Sequence, residues 1–434
     1  MEASCSSHTL PNHDIQAIDS LAMLPSQPRI AIIGGGPAGL TLGLLLHKRE
    51  IPFLIFEGRQ EPTDAELAKP SGMLDLHEES GLAAIRECGL YSRFSQLTGE
   101  CSEAQRVSDK DGNILHTDEG ELSERPEISR HALMNLLATS LPPHTIKWGH
   151  KLLSATSSTT PEGTEVELDF GHQGKLPFDL VIGADGAWSR VRRLLTNVKP
   201  HYAGTQNITT NITQLAKYPH LAELIGCGSF SALGLRHGVM SHRLSQDAAR
   251  IYTFLTLPDE GFPASAGLAG CTAAAAKSKI LQDDTLLSRF GPVVKELFAV
   301  SCDQETSDNP GALLDIKPLY TLPIGTSWKH QSNVTLIGDA AHLMCPWAGE
   351  GVNLAMWDSL LLAHAIIGAH QAVATNGGSF VSALDPLLLD FEVDQLKRTK
   401  EKAQETYNNG QMLFGENGAK AFAEFFQSAY GTTQ

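Results

Sequence analysis

The run Ile30-Ala31-Ile32-Ile33-Gly34-Gly35-Gly36-Pro37-Ala38-Gly39 commits the start of this chain to a strand, a glycine turn and a helix. Four consecutive apolar residues suit a strand buried on both faces. Pro37 and Ala38 suit the opening of a helix, where the missing N–H of proline costs nothing. Gly34 permits the tight turn, Gly36 lets backbone approach a pyrophosphate, and Gly39 lets the helix pack close to the strand. The helix start offers free N–H groups to phosphate. A second apolar run, Phe53-Leu54-Ile55-Phe56, ends in Glu57, whose carboxylate can grip a ribose hydroxyl. Strand, turn, helix and distal acid together point to a dinucleotide site. The competing reading is a glycine-rich turn that only packs a helix on a strand.

Two later segments have similar texture. Asp179-Leu180-Val181-Ile182-Gly183-Ala184-Asp185 runs on to Arg192, and Val334-Thr335-Leu336-Ile337-Gly338-Asp339 runs on to His342. Each is an apolar run leading into a Gly and an Asp, as expected of parallel strands buried on both faces. Ligands of open α/β sheets sit beyond the carboxyl ends of the strands. Glu57, Asp185 and Asp339 are therefore expected to converge on one crevice, with Asp339 suited to a ribityl hydroxyl. Taken singly, each Asp also reads as a helix N-cap.

These residues resemble three fingerprints of one family, the single-component FAD-dependent aromatic hydroxylases, or class A flavin monooxygenases. Within it the chain most resembles the tetracycline-inactivating flavin monooxygenases. The resemblance spans Pro28 to about Gln411 and includes Ser71-Gly72-Met73-Leu74-Asp75-Leu76-His77, Arg125-Pro126-Glu127-Ile128-Ser129-Arg130 and the stretch from Gly338 to Asn353. It implies FAD as cofactor, NADPH as reductant and these roles. Glu57 binds the FAD ribose, and Arg59 stands in for the arginine usual where this chain has Gly58. Asp75 and Arg130 approach the flavin and its ribityl-phosphate side. Leu152 offers backbone to the adenine end, Asp185 supports the pyrophosphate region, and Asp339 binds ribityl. Pro346, Gly349, Glu350, Gly351, Val352 and Asn353 border the isoalloxazine, with Glu350 where glutamine is more usual. Lys69 stands near the NADPH contact. The family's substrate-gripping arginine falls near Ser231. Solvated surface charge is the alternative for Lys69, Arg130 and Glu350. A core aromatic is the alternative for Trp347.

The implied fold is α/β. It has a Rossmann-like FAD-binding domain of aromatic-hydroxylase type, an inserted antiparallel-sheet substrate domain and C-terminal helices. The expected division is a flexible tail over 1–27, the first part of the FAD domain over 28–198, the sheet domain over 199–324, the completing part over 325–375 and helices over 376–434. In the sheet domain, strands are expected at Gln206–Ile212 and Arg250–Leu257, and helices at Leu281–Phe290 and Val293–Phe298. Beyond Gly378, two helices are expected, Phe380–Lys402 and Gln404–Phe426. The segment Leu354–Ile367 reads as a buried helix behind the flavin, because Asp358, Ser359 and His364 interrupt it.

Composition narrows the partners. The 434 residues carry a net charge of −16 and 42% hydrophobic residues, enough for a sizeable core and unsuited to nucleic acid or an anionic membrane. The seven cysteines form no C-x-x-C pair and are expected to stay reduced in a cytoplasmic protein, with no metal site. The oligomeric state is left open, with a monomer as one reading. The expected partners are a small aromatic molecule and molecular oxygen.

No second Gly-x-Gly-x-x-Gly follows a strand, so the single dinucleotide site is expected to hold FAD, and the resemblance implies that the nicotinamide cofactor docks only transiently. By resemblance, NADPH reduces the flavin, oxygen forms a C4a-hydroperoxide, and its distal oxygen hydroxylates a polycyclic aromatic or polyketide-like molecule. The alternatives are Baeyer–Villiger insertion, a flavin dehydrogenase, or a non-catalytic carrier of the related escort-protein fold. The inserted sheet is expected to roof the flavin, with Thr209, Phe230, Leu233, Tyr252, Pro346 and Trp347 facing substrate.

Overall fold

Apolar runs too short for helices become the strands of a parallel sheet. The structure, a computed structural model, describes residues 27–98, 104–120, 126–160, 163–244 and 247–430. Residues 1–26 of the expected tail over 1–27, with Cys5, and also Cys101 and Arg125 lie outside the described residues. Along the chain run β1 (Ile30–Ile33), α1 (Pro37–His47), β2 (Leu54–Phe56), β3 (Met73–Asp75), β4 (Gln105–Asp109), β5 (Ile114–Asp118), β6 (Glu127–Ser129), α2 (Arg130–Ala138) and β7 (Ile146–Lys147). Then follow β8 (Ser154–Thr160), β9 (Gly163–Asp169), β10 (Lys175–Phe178), β11 (Leu180–Gly183), β12 (His201–Ile212), β13 (Ser229–Gly234), β14 (His237–Leu244) and β15 (Ala248–Thr256). The last elements are α3 (Ala273–Gln282), α4 (Pro292–Asp308), β16 (Asp315–Thr321), β17 (Val334–Leu336), α5 (Gly351–Asn376), α6 (Phe380–Leu413) and α7 (Gly418–Tyr430).

β17, β11, β1, β2 and β7 form a five-stranded sheet in that order, parallel throughout. Alternation splits its core. Ile30 and Ile32 pack with α1 and α5, while Ala31 and Ile33 pack under the three-stranded sheet of β8, β9 and β10. The expected buried helix is α5, whose Ala355, Met356, Leu362 and Ile366 lie in the first of these cores.

The second lobe is a seven-stranded sheet in the order β16-β12-β15-β14-β13-β4-β5. It is antiparallel except where β13 pairs with β4. The expected boundaries at 199 and 324 therefore do not enclose it, because β4 and β5 join from the earlier part of the chain. One face packs on α3 and α4, through Ile208, Phe230 and Ile251 against Leu297 and Phe298. The other face, through Leu233 and Phe254, meets Leu413, Phe414 and Ala419 of the C-terminal region.

Helix boundaries differ from expectation for local reasons. The segment after Gln282 turns instead of continuing, because Asp283 Oδ1 accepts the Thr285 N–H at 2.8 Å. Val293–Phe298 is only the start of the longer α4. Lys402-Ala403-Gln404 contains no helix breaker, so α6 runs unbroken to Leu413 and ends before Gly415 and Gly418.

A buried carboxylate fastens α5 to its neighbours. Asp358 is wholly buried and accepts from the Gly338 N–H at 3.0 Å, His342 Nε2 at 2.6 Å, Gln395 Nε2 at 2.8 Å and Arg398 Nη1 at 3.4 Å. Burial pushes its pKa up, but the His342 and Arg398 charges and the hydrogen bonds outweigh this and hold it below the usual range. Removing one partner of a buried charged network costs about 3–5 kcal/mol. Asp358→Ala is expected to lower stability by that amount in urea titration, and Asp358→Asn by less.

Candidate functional site

Because the five strands run the same way, their carboxyl ends deliver Gly34, Glu57, Asp185 and Asp339 to one edge. The glycine turn divides into packed and open positions. A Cβ on Gly34 would lie 2.1 Å from the Ala184 carbonyl oxygen, and one on Gly39 2.0 Å from that of Gly34. Both glycines are demanded by close packing. A Cβ on Gly36 would meet nothing within 4 Å, so the space above the turn is open.

Gly34, Gly36, Glu57, Gly58, Arg59, Leu152 and Asp185 all border one cavity of about 500 Å3. Glu57 is buried and accepts from Gly35 N at 2.7 Å, Arg59 N at 2.9 Å and Arg59 Nε at 2.9 Å. Burial raises its pKa, and the Arg59 side-chain hydrogen bond, followed by the Arg59 N–H, its charge and the Gly35 N–H, brings it below the ordinary 4.5. Asp185 Oδ2 accepts the Arg190 N–H at 2.6 Å across the turn that follows β11; the N-cap of the next short helix, Arg192–Leu195, is Val191 and not Asp185. Its Oδ1 is buried with no hydrogen-bond partner. Burial raises its pKa.

Gly338 is wedged between Ala38 and Ala355, which sets Asp339 beside the starts of α1 and α5. Asp339 is open to the cleft but lies deep between the lobes, and desolvation raises its pKa against the opposing charges of His342 and Arg130. Asp75 lies against the Pro346–Asn353 turn; a Cβ on Gly349 would sit 3.8 Å from its Oδ1. Arg130 is exposed at the start of α2. The residues fit FAD. An open cradle for a pyrophosphate lies over Gly36, a carboxylate stands ready for the ribose, an unpartnered oxygen remains on Asp185, and Asp339 lines the way to the second turn.

Several expected residues have other tasks. Asn353 is fully buried, and its side chain accepts the His77 N–H at 2.9 Å and donates to the Asp75 carbonyl at 2.9 Å. Val352 packs against the α1–α5 core. Glu350 is no solvated carboxylate, since it pairs with Lys402 of α6. Pro346 is exposed, and Trp347 lies edge-on between Phe254 and Phe414 at 4.8 and 4.9 Å. Lys69 is exposed on a separate cleft of about 680 Å3, which Thr209 and Arg250 also line. The Tyr252 hydroxyl reaches Gly72, where a Cβ would lie 3.3 Å away. Leu233 shares the Tyr252 face and is covered by Phe254 and Phe414. Phe230 is the correction. Strand alternation turns it to the far face, into the α3–α4 core, where it is fully buried and faces no cleft.

Sequence reasoning passed over Trp188 and Asp358. Trp188 borders the Glu57 cavity with 57% of its surface exposed. Asp358 holds the Gly338 loop from α5. Its signal was a lone acid in an apolar helix, a position carboxylates rarely take unless paired.

With this geometry in hand, comparison with known proteins is specific. A family model described as an FAD binding domain matches residues 28–236 and 324–377. The monooxygenase penA of Penicillium thymicola is 34% identical over 93% of this chain and 99% of its own length. Among solved structures, HpxO of Klebsiella pneumoniae with FAD and uric acid superposes with a TM-score of 0.70 at 16% identity, covering 94% of this chain and 93% of that one. The tetracycline destructase Tet(51) superposes with a TM-score of 0.60 at 18% identity, covering 95% and 99%.

Gly36→Val has room to fold, but its side chain fills the cradle. Losing charge-assisted contacts worth roughly 1.5–3 kcal/mol lowers FAD affinity about tenfold or more, measurable by flavin fluorescence titration with the melting temperature of the FAD-free protein unchanged. Glu57 has a depressed pKa in the folded state. Its stabilisation is therefore full above the unfolded value and is lost as pH falls through the folded one. The stability deficit of Glu57→Gln is expected at pH 7 and shrinks on acidification below 4.5, followed by denaturant melts across that range.

Proposed function

The chain belongs to the family defined by this FAD binding domain and is an FAD-dependent monooxygenase of aromatic-hydroxylase type; on that premise we propose that it hydroxylates a polycyclic aromatic or polyketide-like molecule at the expense of NAD(P)H. Bound FAD supplies the acceptance of hydride and the activation of oxygen, and the chain's residues supply position, polarity and dryness. Gly36 and the start of α1 take the pyrophosphate. Glu57 takes the ribose, and Asp339 with Arg130 takes the ribityl side.

One observation carries the substrate class. A cavity of about 410 Å3 meets the Pro346–Asn353 turn through Trp347 and is also lined by Phe414, Tyr202, Tyr407 and Met344, with Arg236 and Gln411 among its polar groups. Four aromatic side chains among aliphatic and polar lining groups suit a flat molecule bearing hydrogen-bonding substituents. For the reductant, the cations Lys69 and Arg250 on the separate cleft offer a docking place for nicotinamide phosphates. Glu305, Asp308 and Asp315 also line this cleft.

A panel of polycyclic phenols, assayed for stimulated NADPH oxidation with mass analysis of products, tests this reading. A stimulated rate and a product heavier by one oxygen atom are expected. NADPH oxidation indifferent to every aromatic, or a product that has lost hydrogen and gained no oxygen, would contradict it. Trp347→Ala is expected to keep full FAD content and to raise the substrate KM about tenfold, the loss of roughly 1.4 kcal/mol of aromatic contact, with more hydrogen peroxide per NADPH. A variant depleted of FAD but normally coupled per remaining flavin would assign Trp347 to the cofactor instead.

A further inference from the structure

His77 stands between two carboxylates, and no step described so far uses it. Its Nε2 lies 3.1 Å from Asp75 Oδ2, and its Nδ1 lies 3.6 Å from Glu350 Oε2. The imidazole is 10% exposed, so it meets bulk water mainly through these partners. The other oxygen of Glu350 pairs with Lys402 Nζ on α6, which reaches Glu405 at 3.1 Å. Lys402 and Glu405 are 37% and 50% exposed. A file of ionisable groups thus runs from the molecular surface at Glu405 and Lys402, through Glu350 and His77, to Asp75 beside Gly349 of the flavin-side turn. The backbone of this file is pinned without help from the imidazole. Asn353 accepts the His77 N–H and donates to the Asp75 carbonyl, and Ser80 Oγ donates to Asn353 at 3.4 Å.

We propose that His77 takes up a proton from solvent, by way of Glu350, when the bound flavin is reduced. Negative charge placed in a poorly solvated cleft favours protonation of the nearest suitable base. Imidazole is the side chain whose ordinary titration lies near neutrality, and two flanking carboxylates favour its charged form. Asp75 and Glu350 face the ring directly, and the neutral Asn353 and Ser80 hold the backbone. Lys402 and Glu405 stand behind Glu350, and Arg130 and Asp339 line the same cleft. The balance is simple. A hydride brings two electrons and one proton to the cofactor, a second proton leaves water at the Lys402 end and comes to rest on an imidazole nitrogen, and on reoxidation it returns by the same route. The inference rests on FAD binding alone and stands apart from the choice of substrate and of reductant.

The test uses the FAD-loaded protein without NADPH or substrate. The flavin potential is measured by dithionite titration with mediator dyes between about pH 6 and 8, and its dependence on pH counts the protons taken up per two electrons. Two are expected in the natural protein and one in His77→Gln. Glu350→Gln removes a flanking negative charge, so the two-proton region should end at lower pH, and Lys402→Met should extend it to higher pH. A His77→Gln protein that keeps FAD and the natural pH dependence overturns the proposal. Should that variant lose FAD, a Glu350→Gln curve superimposable on the natural one overturns it equally.

Discussion

The parallel pairing of β1 with β2 and β11, and of β11 with β17, is the constraint on which the rest depends. Parallel strands end at the same edge, and here each of the four ends in a glycine, an acid or both. Segments far apart in sequence are thereby delivered to one crevice without any contact between their side chains having to arrange it. The close approach of Gly34 to Ala184 and of Gly39 to Gly34 keeps the first turn tight enough to leave Gly36 facing open space. Had the strands alternated in direction, Glu57 and Asp339 would leave the sheet at opposite edges, and no single elongated ligand could reach both.

The second requirement is that the edge stay put, and α5 with α6 meets it. Asp358 holds the Gly338 backbone from behind, Ser359 Oγ donates to the Ala38 carbonyl at 2.8 Å, and Gln395 and Arg398 of α6 close on Asp358 from the far side. Helix α6 therefore braces the cofactor lobe through one carboxylate. Further along, α6 carries Lys402 to Glu350, and it carries Gly410 to Trp347, where a Cβ would come within 2.8 Å of the indole. The aromatic cluster around Trp347 and the ion pairs around Glu350 thus both hang on one helix, about two turns apart.

What was legible in the sequence follows from how local each requirement is. The glycines of the first turn, Glu57, and the Gly-Asp pairs at 183–185 and 338–339 were legible because a turn or a strand end imposes them within a few residues. Facing direction was not. Phe230 and Ser231 differ only in parity, and parity is fixed by pairing with β14, which the sequence does not state. The membership of β4 and β5 in the large sheet was hidden for the same reason, since β4 pairs in parallel with a strand more than a hundred residues later. The helix end after Lys402 was misplaced because the residue pattern there contains no breaker. The pairing of Glu350 with Lys402, and of Asp358 with Arg398, joins α5 to α6 across a fold-level contact that no local spacing encodes.

The central claim is that four separated strand ends and the α5 turn form one FAD cleft. Amide hydrogen exchange of the FAD-free and FAD-loaded protein measures it most directly. The account predicts that FAD slows exchange together at 34–39, 57–59, 338–342 and 349–353, with the α3–α4 core unchanged. Protection confined to the first two segments, with the last two exchanging as in the FAD-free protein, would contradict it.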